Sequence, residues 1–292
     1  MDSSSIAELR RRSVGVIKDG QSPEGGYVAS PNFERYRYSW LRDGSFIADA
    51  MSRVGEVESA EAFFDWVARI VAAGRGFDAR YTLAGERDGS SWPHSQYDGW
   101  GLWLWAMRVH CERHGRPWRW REAANQTASH LEAVRTEPCI DWWEERLGVH
   151  AATLACIAAG LEDELDLSGA EDRLDASLLV LPFLGFGRVD VSDLISPGGG
   201  VHRHPEDTFY GGGEWLLLTA LLGLAVPARA AECLDWIAAH ERPEGLPEQS
   251  QDHLLHPGSY DPWVEKWGLP PSPLLWSHAM FLTLADAYER ES

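Results

Sequence analysis

The sequence predicts an all-α fold of helices in two concentric layers, and three observations carry that prediction. Apolar residues recur at helical spacing along most of the chain, wholly apolar helices alternate with amphipathic ones, and alternating β-runs are scarce. Helices are expected near residues 4–18 and 39–54. From Val57 to Gly74, Ala60, Phe63, Val67 and Ile70 fall three and four apart, Phe64 and Val71 widen the stripe, and Glu58, Glu61, Asp65 and Arg69 lie between them. That pattern describes an outer, half-exposed helix. Further helices are expected over 99–114, 117–136, 149–161, 168–184, 213–225, 227–242 and 273–290. GVHAATLACIAAGLE and EWLLLTALLGLAV are apolar on nearly every face, whereas PWRWREAANQTASHLEAV and PARAAECLDWIAAHER have one polar face. A helix apolar all round is buried and an amphipathic one covers it, which gives an inner and an outer layer.

The connections entering the apolar helices are rich in Gly, Pro, Trp and acids: PNFERYRYSWLRDG, SSWPHSQYDGWG, PCIDWWEERLG, HRHPEDTFYGGGEW and EGLPEQSQDHLLHPGSYDPWVEKWGLPPSP. A solvated linker avoids so many aromatics. Loops of this kind are expected to gather at one end of a helical barrel and to hold function. No linker divides the chain, so residues 1–292 are expected to form one domain.

Composition narrows the function. Asp and Glu number 45 against 26 Lys and Arg, a formal net charge of −19. Nucleic-acid and anionic-membrane binding both draw on basic surfaces, so neither partner is expected. The longest uncharged apolar stretch, Trp215 to Val226, is too short to cross a bilayer, and MDSSSIAELRRR has no apolar core for export, so a cytoplasmic protein is expected. Cys111, Cys139, Cys156 and Cys233 form no CxxC or Cys/His cluster, and the 11 His show no metal-binding spacing. Buried free thiols and no metal or organic cofactor are the expectation. Neither a GxGxxG, a Walker sequence nor a GxSxG elbow is present.

Fifteen of the residues are Trp, far more than a core of this size needs. A Trp ring offers an apolar face and one N–H, which suits the C–H faces and hydroxyl edges of a sugar. Among these aromatics stand Asp43, Asp98, Asp141, Glu144, Glu145, Glu206, Asp207 and Glu248. Two opposed carboxyl groups are the minimum for acetal hydrolysis. The competing explanation is that acids near helix starts, Asp43 and Asp98 above all, complement the helix dipole.

Taken as a set, the loops resemble those of glycoside hydrolase family 15, the glucoamylase family. YRYSWLRDGSFIADA resembles its Y-x-Y-x-W-x-R-D signature, and SWPHSQYDGWG its W-x-x-x-Q-x-D-G loop. DWWEERLGVHAATLA is similar to the D-x-W-E-E segment, RHPEDTFYGGGEWLL to R-Y-P-E-D-x-Y-x-G-x-x-W, and PEQ with LLWSHA to the S-E-Q and T-W-S-x-A pair. The resemblance implies an (α/α)6 barrel of about twelve helices. The sequence supplies nearer eleven, with 185–200 the place where a short further helix is expected.

The resemblance further implies an exo-acting, inverting hydrolase releasing glucose from non-reducing ends of α-linked glucosides. Glu144 matches the general acid and Glu248 the general base. Tyr36, Trp40, Arg42 and Asp43 match groups around the terminal sugar, Trp92 a ring close to the acid, and Arg203 a basic residue at the pocket. Glu145 and Gln249 flank the catalytic pair, and Trp143 is expected to cover a further ring. Short substrates are expected. Two other readings stay open: a trehalase or other disaccharide hydrolase on the same barrel, and a non-catalytic sugar-binding protein. Pro270–Pro271 and the Tyr before Asp98 depart from the family pattern. Oligomeric state is not legible.

Overall fold

The computed structural model describes residues 3–291. The chain packs as two compact units, one spanning Lys18–Asp172 and the other joining the amino-terminal residues through Ile17 to the stretch from Arg173 onward. Among the described residues there are eleven α-helices and four strands of two residues each.

In the first unit the helices are α2 (Leu41–Arg53), α3 (Val57–Ala72), α4 (Asp98–His114), α5 (Arg121–Val134) and α6 (Ala151–Leu161). Helices α2, α4 and α6 are the buried ones, and α4 packs between the other two. The α4–α6 contact is close because glycines face it. A Cβ on Gly101 would lie 2.3 Å from the Cys156 carbonyl oxygen, and one on Gly160 would lie 2.5 Å from that of Gly101. Helix α3 buries Ala60, Phe63, Phe64, Val67, Ile70 and Val71, the stripe its spacing predicts, and α5 buries only Ala123, Ala124, Thr127 and Leu131. Two small antiparallel strand pairs complete the unit. Strand β1 (Ser39–Trp40) pairs antiparallel with β2 (Arg80–Tyr81), setting Trp40 opposite Arg80, and β3 (Cys139–Ile140) pairs with β4 (Leu147–Gly148).

The second unit holds most of α1 (Ser3–Asp19), with α7 (Val180–Phe183), α8 (Leu216–Ala225), α9 (Ala230–Ala239), α10 (Tyr260–Trp267) and α11 (Leu275–Glu291). Helix α8 is apolar throughout and packs on α11 and α9. Buried His278 on α11 ties the unit together: its Nδ1 lies 2.9 Å from Ser13 Oγ on α1, and its Nε2 accepts from the Leu246 N–H at 2.9 Å. Burial pushes this imidazole down to about 3, so it is neutral, as an accepting Nε2 requires.

Three expectations need correction. The helix expected over 168–184 is reduced to a 3-10 turn at Ala176–Leu179 running into the single turn of α7. Pro182 and the left-handed Gly185 and Gly187 stop it. The region 185–200 carries only a 3-10 turn, Ser192–Leu194, and no α-helix. Conversely, α10 lies within what reads as a loop. Tyr260, Trp263, Val264 and Trp267 do fall at helical spacing and form its half-buried face, but the helix is only 8 residues long, holds Pro262 and lies between Pro257–Gly258 and Gly268, which read as loop. All four cysteines are free and buried, as expected. Among the described residues no helix is long and apolar enough to cross a membrane.

Candidate active site

Glu144 sits in the turn between β3 and β4. The turn is closed by a hydrogen bond from the Asp141 N–H to the Arg146 carbonyl (2.9 Å), and Asp141 Oδ1 accepts from the N–H groups of Glu145 (2.8 Å) and Arg146 (3.2 Å). Within it Glu144 adopts a left-handed backbone, φ 63°. A non-glycine residue pays steric strain there and holds it only where its surroundings fix it, a condition met most often at functional sites.

The Glu144 carboxyl receives two donors on one oxygen. Trp40 Nε1 and Gln96 Nε2 each donate to Oε1 at 2.8 Å. Behind Gln96 stands Arg42, whose Nη1 donates to Gln96 Oε1 (3.0 Å) and to Asp98 Oδ2 (2.9 Å). Because Arg42 can only donate, it fixes which end of the Gln96 amide is the oxygen and so aims the Nε2 at Glu144. Asp98 is the first residue of α4, so it serves the helix dipole and the Arg42 pair together. Asp43, one residue beyond Arg42 and 3.8 Å from its Nε, is buried. Burial pushes its carboxyl up to about 7; Arg42 opposes the shift and Glu144 adds to it.

Aromatic rings wall this chain of bonds. Tyr36 and Trp92 both meet Trp40 edge-on, at centroid distances of 5.5 and 5.8 Å. The Arg80 guanidinium lies against Tyr38, Trp40 and Trp92 at 4.1, 4.7 and 3.8 Å, and is anchored by Asp88. Trp142 and Trp143 are buried and meet each other edge-on, with Trp142 also against Phe46. Glu145 is exposed.

In the second unit Glu248 is 2% exposed and bonded through its backbone on both sides: its N–H donates to the Pro271 carbonyl (2.9 Å) and its carbonyl accepts from the Leu216 N–H (3.4 Å). Gln249, fully buried, bridges antiparallel to Trp215 and accepts from the Gly213 N–H at 3.1 Å. Arg203 is buried and clamped in a bidentate pair with Asp207, 2.7 and 2.5 Å, with its Cζ 5.2 Å from the rings of Phe209 and Trp215.

No family model matches this chain. The isomaltose glucohydrolase of Kribbella flavida, however, is 36% identical over 98% of this chain and 94% of its own length. The chain belongs to the glucoamylase-like glycoside hydrolases. A solved glycosidase variant in complex with glucose superposes with a TM-score of 0.89 at 36% identity, covering 99% of both chains. A bacterial glucoamylase complexed with acarbose shares the fold at TM-score 0.73 and 18% identity, over 97% of this chain and 56% of that one. The fold class is therefore the all-α (α/α)6 barrel of the glucoamylases.

Within this glycoside hydrolase the first unit brings Tyr36, Trp40, Arg42, Asp43 and Trp92 into one connected cluster around Glu144. Trp143 and Glu145 are its chain neighbours in the same turn. Arg203 and Gln249 are linked within the second unit through Trp215. Sequence reasoning missed Gln96, which bonds Glu144 directly, and it listed Asp98 as a candidate acid, with a helix-start role as the competing explanation, without assigning it a place in the site. Both stand in the W-x-x-x-Q-x-D-G loop, so the signal was present. It also missed Arg80, whose register opposite Trp40 arises only from the β1–β2 pairing.

Proposed function

We propose that this chain is an inverting, exo-acting α-glucosidase that releases β-glucose from the non-reducing ends of short α-linked gluco-oligosaccharides, isomaltose among them. Glu144 protonates the glycosidic oxygen as the bond from it to the anomeric carbon breaks. Glu248 takes the proton from the water that attacks the opposite face of that carbon. Arg42, Asp43, Tyr36 and Trp40 hold the terminal sugar, and Trp92, Trp143, Arg203, Glu145 and Gln249 complete the surroundings. The reading treats residues 1–292 as one catalytic domain.

The observation that carries this reading is the carboxyl of Glu144, held on a strained backbone with two N–H donors converging on Oε1. Donors on one oxygen leave the other, Oε2, to carry a proton and present it, which is what a general acid must do. The identity to an isomaltose glucohydrolase supports the substrate class. Four buried free thiols fit a reducing compartment and support a cytoplasmic location.

The test is glucose release from a panel of α-linked glucose disaccharides by the parent and by Glu144→Gln and Glu248→Gln. Each substitution is expected to lower turnover by roughly 10²–10⁴-fold with the fold intact, the usual contribution of a positioned acid or base. Near-parental turnover in either variant would remove that residue from its role.

A further inference from the structure

Two glycine runs, Gly198–Gly200 and Gly211–Gly213, flank a carboxylate that the reaction above does not use. Glu214 is 0% exposed. Its carboxylate takes hydrogen bonds from the Ser196 hydroxyl and from the Ser250 hydroxyl at 2.8 Å, and lies 3.2 Å from His253 Nδ1. Its main-chain carbonyl accepts from the Ser250 N–H, also at 2.8 Å. Among the described residues His253 is the only basic side chain within 4 Å of its carboxylate, and no Arg or Lys reaches it.

Removing a carboxylate from water is costly, and an apolar residue of similar size would fill such a site at no such cost. What the carboxylate adds is direction, because every group bonded to it comes from a loop. Ser196 precedes the first glycine run, and Ser250 and His253 follow Glu248 in the loop that carries it. The glycines are there for this arrangement. A Cβ on Gly200 would lie 2.7 Å from Glu214 Cβ, one on Gly198 would lie 2.5 Å from His253 Cε1, and one on Gly213 would lie 2.2 Å from the Ser250 carbonyl oxygen. His253 itself holds a left-handed backbone, φ 50°, which a non-glycine residue keeps only when its surroundings impose it.

We propose that Glu214 is a positioning residue for Glu248: through Ser250 and His253 it locks the loop bearing the base to the entry of α8, and so fixes where the base carboxylate stands. The proposal rests on the reading of Glu248 as the base. The links on either side of Glu248 are short. Its carbonyl is bonded to Leu216 and the next residue but one, Ser250, to Glu214, so a shift in Glu214 moves the base directly.

The experiment measures kcat, KM and the pH profile of kcat/KM on isomaltose for the full chain, with Glu214→Gln, Ser250→Ala and the double variant. Glu214→Gln is expected to lower kcat by about 100-fold, the order of loss that a displacement of about 1 Å causes in a reacting group. KM should stay within a few fold, and the acidic limb of the pH profile should be displaced. Ser250→Ala should change the same quantities in the same direction by less, and the double variant should be no worse than Glu214→Gln, because the two act through one bond. A loss of folded protein lowers the whole profile without moving its limb, so that result overturns the proposal, as do parental kinetics in folded variants. Should Glu214→Gln fail to fold, Ser250→Ala and Ser196→Ala decide by the same readout. Glu248→Gln separates the two claims: parental activity there defeats the base assignment, whereas an inactive Glu248→Gln beside a parental Glu214→Gln defeats the positioning role alone.

Discussion

At Glu144 the side chain and the backbone are set by different parts of the sequence. The W-W-E-E turn fixes its left-handed φ, while Trp40 at the end of β1 and Gln96 in the loop before α4 supply the donors on Oε1. Glu144 was legible as a candidate because it is an acid among aromatics in a recognisable loop. Gln96 stands in an equally recognisable loop but was not singled out, because the role of an amide shows only when Arg42 is placed to orient it. The same cluster makes a pH prediction through Asp43, whose burial raises its carboxyl from 3.8 to about 7. The folded state then holds a proton that the unfolded chain has released, so stability falls as pH rises from about 4 to about 7. Asp43→Asn removes this term. Urea unfolding of parent and variant across that range should show the parent losing stability relative to Asp43→Asn as pH rises; a difference independent of pH would contradict the buried, protonatable Asp43.

Among the elements, the buried helices α6 and α8 were legible from continuous apolar character, and α3 from a stripe whose members the structure buries, with Ser59 and Trp66 beside them. The stretch 168–184 misled because LDASLLVLPFLGFG is apolar enough for a helix while Pro182 and two glycines allow barely two turns. Helix α10 was missed for the opposite reason: Tyr260, Trp263, Val264 and Trp267 carry the helical period, but over only 8 residues, with Pro262 inside and Pro257, Gly258 and Gly268 around it, the segment reads as loop. The α4–α6 contact gives an element-scale prediction. Gly101→Ala places a methyl 2.3 Å from the Cys156 carbonyl oxygen, an atom of backbone that cannot rotate away. The substitution should destabilise the protein by about 1–3 kcal/mol or more, the range for overpacking. Urea midpoints check it, and an unchanged midpoint would mean that the two helices do not pack at glycine distance.

For the whole molecule, composition excluded more than it assigned. An excess of 19 negative charges argued against polyanions, and fifteen Trp pointed to sugars, but neither names a linkage. Linkage and chain length depend on loop shape around the leaving group, which composition does not encode. Trp142 and Trp143, at 3% and 8% exposed, have most of their surface packed away, leaving little ring face for distant sugar units. Catalytic efficiency along a series of α-linked oligosaccharides should therefore peak at about two to four sugars, roughly what a pocket of ordinary size encloses. Efficiency still rising toward long polymers would refute the short-substrate reading.

The central claim is that Glu144 and Glu248 act on opposite faces of the anomeric carbon through a water molecule. Proton NMR of isomaltose during the first minutes of hydrolysis tests it most directly, because the anomeric signal reports the stereochemistry before mutarotation blurs it. The account predicts that the glucose released from the non-reducing end appears first as the β-anomer; α-glucose appearing first at that position would contradict it.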